Sequence, residues 1–202
     1  MNDTIAYYDR NAKEFFLGTV TADMSTLYVP FLEHVPPGGK ILDAGCGSGR
    51  DSLYFLRHGY QVEAFDASAE MCRLASHLIG RTVRQKTFDM VCSVSEFDGI
   101  WACAALLHQP RNLMDKVLER FCRALKPGGV LFVSFKLRDG QWEQGGRSFS
   151  GYDEKSFREL VEKHGSLAAC TIWTSNDVRP ERVGEQWLNA ILQRVHDPSV
   201  RP

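Results

Sequence analysis

Three sets of residues have types and spacings that could do chemistry. The first lies in Lys40-Ile41-Leu42-Asp43-Ala44-Gly45-Cys46-Gly47-Ser48-Gly49-Arg50-Asp51, an apolar strand entering a turn with glycine at every second position. Gly45, Gly47 and Gly49 let the backbone turn sharply and let another molecule approach it closely. A helix from about Arg50 to His58, stopped by Gly59, would aim its N-terminal amides at the contents of the turn. The second is Asp66, nineteen residues after Gly47 and closing the alternating run Gln61-Val62-Glu63-Ala64-Phe65-Asp66. That separation lets a carboxylate at the end of a second strand reach ribose hydroxyls. The third is scattered: Tyr7, Tyr8, His108, Lys136 and Arg147. His108 reads either as a general base, since imidazole titrates near neutrality, or as a histidine flanking a helix in solvent. Lys136 and Arg147 are two cations that would select an acidic or electron-rich acceptor, or are simply solvated.

Positioning these residues requires strands that end on one edge. The spacing predicts two helical pieces before the first strand, one over Tyr7 to Phe16 and one from Asp23 to His34, ended by Pro36-Pro37-Gly38-Gly39. Their aromatics either cover one edge of a sheet or place Tyr7 and Tyr8 over a ligand as a lid. Ser68 opens a helix to about Ile79, closed by Gly80. A third strand is expected over Thr82 to Met90, and a fourth over Phe97 to His108, whose nearly continuous apolar run suits a central strand covered on both faces. A helix from Arg111 to Leu125 stops at Lys126-Pro127-Gly128-Gly129, and Val130 to Lys136 forms a fifth strand. A polar, glycine-rich loop, Leu137 to Gly151, has the length of an active-site cover. Asp153 caps a helix to about His164, and Leu167–Thr174 with Glu185–Val195 make an antiparallel edge.

Composition limits what else the chain holds. Its 202 residues, 44% apolar, suit one well-cored domain rather than two. With 24 basic and 25 acidic residues the net charge is −1, so no global field draws in nucleic acid or an anionic membrane. Neither a signal peptide nor a membrane-spanning run is visible, and a cytoplasmic location is expected. The six cysteines (Cys46, Cys72, Cys92, Cys103, Cys122, Cys170) form no C-x-x-C pair and the six histidines show no ligand spacing, so no metal is expected.

Spacing discriminates among the ligands a glycine turn can hold. A dinucleotide fingerprint needs a third glycine three residues after the second, and that position is Arg50. The form Asp43-x-Gly45-x-Gly47-x-Gly49, with Asp66 after a second strand, Leu106-Leu107-His108 ending the fourth and Leu125-Lys126-Pro127-Gly128-Gly129 before the fifth, resembles the class I S-adenosylmethionine-dependent methyltransferases. Among them it is most similar to small bacterial enzymes of the tellurite-resistance and ubiquinone-biosynthesis type, over roughly Tyr7 to Val195.

The resemblance implies an α/β fold: a doubly wound, mostly parallel seven-stranded Rossmann-like sheet with an antiparallel edge strand and helices on both faces. It divides a single domain into an N-terminal helical lid (1–35), a core (36–195) and a tail (196–202). S-adenosylmethionine is the implied cofactor, held by the motif from Asp43 to Arg50, with Gly45, Cys46 and Gly47 presenting backbone to its methionine part. Asp66, followed by Ala67, would hold the ribose, while Phe88 and Asp89 flank the adenine and Ala104 offers its carbonyl to the methionine ammonium. Phe88 also reads as plain core, and the segment Met90 to Glu96 that follows Asp89 is short. Tyr7, Tyr8, His108, Lys136 and Arg147 are the acceptor-side candidates.

Direct methyl transfer to a small molecule is the leading function. RNA or protein methylation and a non-catalytic cofactor-binding module are the alternatives, with a nicotinamide dehydrogenase more distant. Ala104-Ala105-Leu106-Leu107 stands where enzymes acting on base amino groups carry Asn/Asp-Pro-Pro-Tyr/Phe, there is no Pro-Cys nucleophile, and no basic domain is added, which disfavours nucleic acid.

Overall fold

The computed structural model of the chain describes residues 2–195, so the expected tail from His196 to Pro202 lies outside the described residues. In chain order its strands are β1 (Lys40–Ala44), β2 (Gln61–Asp66), β3 (Arg84–Gln85), β4 (Phe97–Ala102), β5 (Leu125–Lys136), β6 (Gly140–Gln144), β7 (Arg147–Gly151), β8 (Leu167–Asn176) and β9 (Gln186–Arg194). The helices are α1 (Asn2–Thr19), α2 (Ser25–Leu32), α3 (Arg50–Arg57), α4 (Ala69–Ile79), α5 (Arg111–Ala124) and α6 (Glu154–His164). Seven strands form one sheet in the order β3-β2-β1-β4-β5-β9-β8. The first five are parallel neighbours, whereas β9 runs antiparallel to both β5 and β8. The reversed strand therefore sits one place in from the edge.

Alternation along the strands sorts side chains onto two faces. Ile41, Trp101, Phe132 and Ile191 pack with Tyr28 and Phe31 of α2 and Phe55 of α3. Their chain neighbours Leu42, Ile100, Leu131 and Leu192 pack on the other face with Met114, Leu118 and Phe121 of α5 and Phe157 of α6. Local signals set the helix ends. The Ser68 hydroxyl accepts from Met71 N (3.1 Å) and Gly80 closes α4 at φ +67°, while Asp153 and Ser156 form a reciprocal capping box on α6.

Four expectations need correction. The third strand shortens to Arg84–Gln85, because Phe88–Met90 coils into a 3-10 turn. The fourth ends at Ala102, and Leu106–His108 is a separate 3-10 turn, so His108 follows the strand rather than closing it. The fifth begins at Leu125, and the Pro-Gly-Gly run is an irregularity within it, the pairing stepping from Phe97↔Leu125 to Gly99↔Val130. The polar segment after β5 is a hairpin, with β6 and β7 paired antiparallel and Trp142 stacked on Phe149 at 5.4 Å. Cross-strand aromatic packing of that kind outweighs the glycine content.

Behind β1, a cluster of buried charges joins α2, α3 and β4. The Asp51 carboxylate accepts from Tyr28 Oη (2.5 Å), Trp101 Nε1 (2.8 Å) and Arg50 Nε and Nη2 (2.6 and 3.0 Å). Burial raises its pKa, but the Arg50 guanidinium together with the Tyr28 and Trp101 donors outweighs burial and holds it below the usual carboxylate range. Asp43 lies nearby with only the Ser52 hydroxyl (2.6 Å) recorded as a donor, and burial followed by the Asp51 charge pushes it up to about 8. Of the two carboxylates, Asp51 keeps the charge and Asp43 the proton.

Removing one partner of a buried pair strands the other. Asp51→Ala is therefore expected to lower stability by about 3–5 kcal/mol in urea titration, and a loss under about 1 kcal/mol would refute the cluster's structural role. Asp43 binds its proton more tightly folded than unfolded, so its contribution is complete below the unfolded value near 4. That contribution declines as pH rises toward about 8, by at most about 1.4 kcal/mol per pH unit. Asp43→Asn should flatten this decline; an identical pH slope in mutant and wild type would count against it.

Candidate functional site

The carboxyl ends of β1, β2, β4 and β5 open on a cavity of about 530 Å³, as expected where ligands meet an open α/β sheet. Its floor is the glycine turn. Gly45 (φ +77°) tolerates no side chain, since a Cβ there would stand 2.7 Å from Ala105 Cβ. At Gly47 (φ +52°) a Cβ would meet Phe15 at 3.4 Å. The turn's amides are engaged internally: Gly45 and Cys46 donate to Phe65 O (2.9 and 3.0 Å), Gly47 to Asp66 Oδ2 (2.9 Å) and Gly49 to Cys46 O (2.9 Å). Four amides of the turn are thus engaged before any ligand arrives, so the turn itself is poor in free donors. It offers space and carbonyl edges, which suits a ligand without phosphate better than a pyrophosphate, which needs donors.

Asp66 closes β2 at the cavity wall, Oδ2 accepting from Gly47 N and Oδ1 from Ser68 N (both 2.9 Å). Burial raises its pKa, and those amides oppose the shift. Each oxygen still has lone pairs for a hydroxyl donor. Ala67, Phe88, Ala104, Cys46 and Arg50 also line the cavity. Ala104 adopts the left-handed conformation (φ +50°), rare for a residue with a Cβ, and its amide donates to Ser134 Oγ at 2.7 Å. Asp43 and Gly49 are not on the cavity wall, and Asp89 is exposed away from it. The residues present therefore fit a nucleoside with a thioether or sulfonium chain: bare backbone below, a carboxylate at ribose height, and Phe88 as an aromatic wall.

Of the residues expected to face an acceptor, Tyr8, His108, Lys136 and Arg147 line the same cavity, and Tyr7 packs behind them with the Arg147 guanidinium 4.5 Å over its ring. Ser148 O can only accept, so the 2.8 Å contact makes His108 Nδ1 the donor. Nε2 is then the acceptor for the Tyr8 hydroxyl, also at 2.8 Å. Burial pushes His108 down to about 4. Lys136 is not a free cation: Glu185 and Asp177 pair with it, the latter at 3.8 Å, and its ammonium lies 4.2 Å over Trp187. Ser134, Ser175, Asp177 and Asn189 complete this wall. Ser134 and Asn189 were visible as lone polar residues inside apolar strands, a signal the sequence reading passed over. Among the described residues, no cluster of three metal-ligating side chains occurs and no helix is long and apolar enough to cross a membrane.

Strand order, glycine turn and acidic strand end are together those of the class I S-adenosylmethionine-dependent methyltransferase fold. A methyltransferase-domain family model matches residues 41–129. The ubiquinone biosynthesis O-methyltransferase of Xanthomonas campestris pv. campestris is 33% identical over 105 residues, 48% of this chain and 43% of that one. A phosphoethanolamine N-methyltransferase of Triticum aestivum is 30% identical over 201 residues, 94% of this chain and 38% of that one. The chain thus spans less than half the length of these relatives. In fold it is similar to the Burkholderia thailandensis 1,6-didemethyltoxoflavin-N1-methyltransferase, solved with its acceptor and S-adenosylhomocysteine, at TM-score 0.76 and 23% identity, covering 95% of this chain and 85% of that one.

The His108 geometry is directly measurable. Long-range proton–nitrogen NMR should report a neutral Nδ1–H ring across roughly pH 5–8, the range in which an ordinary histidine titrates. A midpoint near 6.5, or the opposite tautomer, would contradict the arrangement.

Proposed function

We propose that the protein is a methyltransferase that uses S-adenosylmethionine to methylate a small-molecule acceptor directly. The observation carrying this reading is Asp66, fixed by two backbone amides at the wall of a glycine-floored cavity. When bound, the cofactor supplies a methyl group already activated on a sulfonium, so the protein's task is positioning and exclusion of water. Asp66 accepts from the ribose hydroxyls, with Ala67 beside it. Gly45, Cys46 and Gly47 give the methionine chain a bare backbone surface, and Arg50 and Ala104 close its far end. Phe88 contacts the base; Asp43, Gly49 and Asp89 act from outside the cavity, the first two by shaping the turn.

His108 holds the proton-accepting nitrogen on the acceptor side. A base titrating near 4 is weak, yet it suffices where the acceptor's proton turns strongly acidic as the new bond to carbon forms. Tyr8 can pass that proton to His108 Nε2 or yield its place to the acceptor. Arg147 and Tyr7 press on Tyr8 from above. α1 and the β6–β7 hairpin form the cover, linked where Ser148 N donates to Thr4 Oγ1 (3.0 Å). A small acceptor is favoured because this cover closes directly over the acceptor wall. The charge balance argues against a nucleic-acid substrate.

Calorimetry is expected to show micromolar binding of S-adenosylhomocysteine, and absence of heat with folded protein would overturn the reading. Asp66→Ala should weaken that binding by about 1–3 kcal/mol while the fold persists, the range for leaving hydrogen-bonding groups unpaired. An unchanged dissociation constant would mean the ribose is held elsewhere.

A further inference from the structure

The cavity extends beyond the volume a cofactor on Asp66 and the glycine turn would take, along the ends of β5, β9 and β8. Its floor there is a polar row across three neighbouring strands. Ser134 pairs with Asn189 in the sheet register, and Ser175 lies diagonally from Asn189. On the same face, one step deeper, Phe132 and Ile191 are wholly apolar and buried. Asn189 has no exposed surface; its Nδ2 donates to Ser175 Oγ at 2.9 Å, and its Oδ1 has no hydrogen-bond partner among the described residues. A buried amide oxygen without a donor is destabilising, and such groups in folded proteins call for a specific explanation. A strand position that elsewhere on this face carries isoleucine or phenylalanine has no packing reason to be asparagine.

The charged groups around this row form one network in which three cations share two carboxylates. Lys136 is paired with Glu185 and Asp177, Arg179 with Asp177 (2.7 Å) and Arg182 with Glu185 (2.9 Å). Each of these three cations is held in an ion pair, and with only two carboxylates among them this end of the cavity keeps an excess of positive charge. Trp187, two residues along β9 on the same face, adds an aromatic ring, with the Lys136 ammonium 4.2 Å over one face and Nε1 donating to Asp177 (3.1 Å).

We propose that Asn189 is the residue that reads the methyl acceptor, and that the acceptor is a ring-bearing molecule presenting an N–H or O–H donor to the Asn189 amide oxygen. Ser175 orients the amide, and Trp187 flanks the ring. This rests on the methyltransferase reading and adds to it the class of acceptor. The selectivity follows because a site whose polar group is satisfied only by the ligand rejects an analogue lacking the donor.

The test uses the full chain, labelled S-adenosylmethionine and two matched pairs of probes: catechol against phenol, and 2-aminophenol against aniline, each differing by one O–H. Affinity for S-adenosylhomocysteine is measured on the same preparations. Wild type should methylate the donor-rich member with at least about tenfold higher kcat/KM. Asn189→Leu should bring that ratio to about one, with the S-adenosylhomocysteine dissociation constant unchanged. Asn189→Asp, which keeps an oxygen in place, should retain the preference, and Asn189→Ala replaces the leucine variant should that one not fold. Failure to bind S-adenosylhomocysteine overturns the methyltransferase reading and this proposal with it. Binding accompanied by equal rates within each pair, by a preference that survives Asn189→Leu, or by no methylation of any probe overturns this proposal alone.

Discussion

The position of one carboxylate constrains the site more than any other contact. Asp66 ends β2, and its two oxygens take the amides of Gly47, in the turn after β1, and Ser68, the cap of α4. Two consecutive strand ends are thereby fixed to one another, and the glycine turn keeps the conformation that leaves its backbone bare. The same cap receives α1, since Ser68 Oγ donates to Asp9 (2.6 Å). A carboxylate carrying two amide bonds is held rigidly, which is what recognition of a pair of hydroxyls requires. The cost is burial, visible as its raised pKa.

A second level of organisation lies behind the turn, where the acidic residues divide the work between charge and proton. Asp51 carries the charge because Arg50, Tyr28 and Trp101 all donate to it, and Asp43 sits within its field with a single hydroxyl recorded as donor. The division follows from geometry, since two carboxylates at close range in low dielectric do not both ionise. It also explains why Arg50, although on the cavity wall, is not a free cation: its guanidinium is already paired.

The geometry of the glycine turn was legible in the sequence and the partners of Tyr8, His108 and Lys136 were not, for a physical reason. The glycine turn, Asp66 and the caps Ser68, Gly80 and Asp153 act through residues close in the chain, where spacing translates directly into geometry. The mostly parallel sheet with an antiparallel edge was implied by the family resemblance. The readings that changed depended on packing between distant segments: the hairpin over Gly140 to Gly151 exists because Trp142 stacks on Phe149, and the fourth strand stops at Ala102 before a left-handed Ala104 held by Ser134. Lys136 looked like a free cation because Asp177 and Glu185, which pair with it, come from the connection between β8 and β9 about forty residues later.

The proposed cover has a defined cost of opening. Thr4 and Tyr8 are one helical turn apart on α1 and face the same way. Thr4 accepts from Ser148 N, and Tyr8 donates to His108, whose other nitrogen donates to Ser148 O. The hairpin, the 3-10 turn at His108 and the start of α1 are thus tied through a single residue, Ser148. Lifting α1 breaks the Thr4 and Tyr8 bonds together, and the Asp9 bond to Ser68 with them. At about 0.5–1.5 kcal/mol each, these bonds and the longer one from Glu70 N to Asp9 (3.3 Å) amount to a few kcal/mol, so an opened form is a minor but accessible state. α1 has a natural place to bend, since Asn11 departs from helical geometry (φ −111°, ψ 16°) just after the last of these contacts. The segment before the kink can therefore move while the rest of α1 stays against α4, and Tyr8 leaves His108 only when the cover lifts. Access to the acceptor wall and exposure of the His108 nitrogen are then the same event.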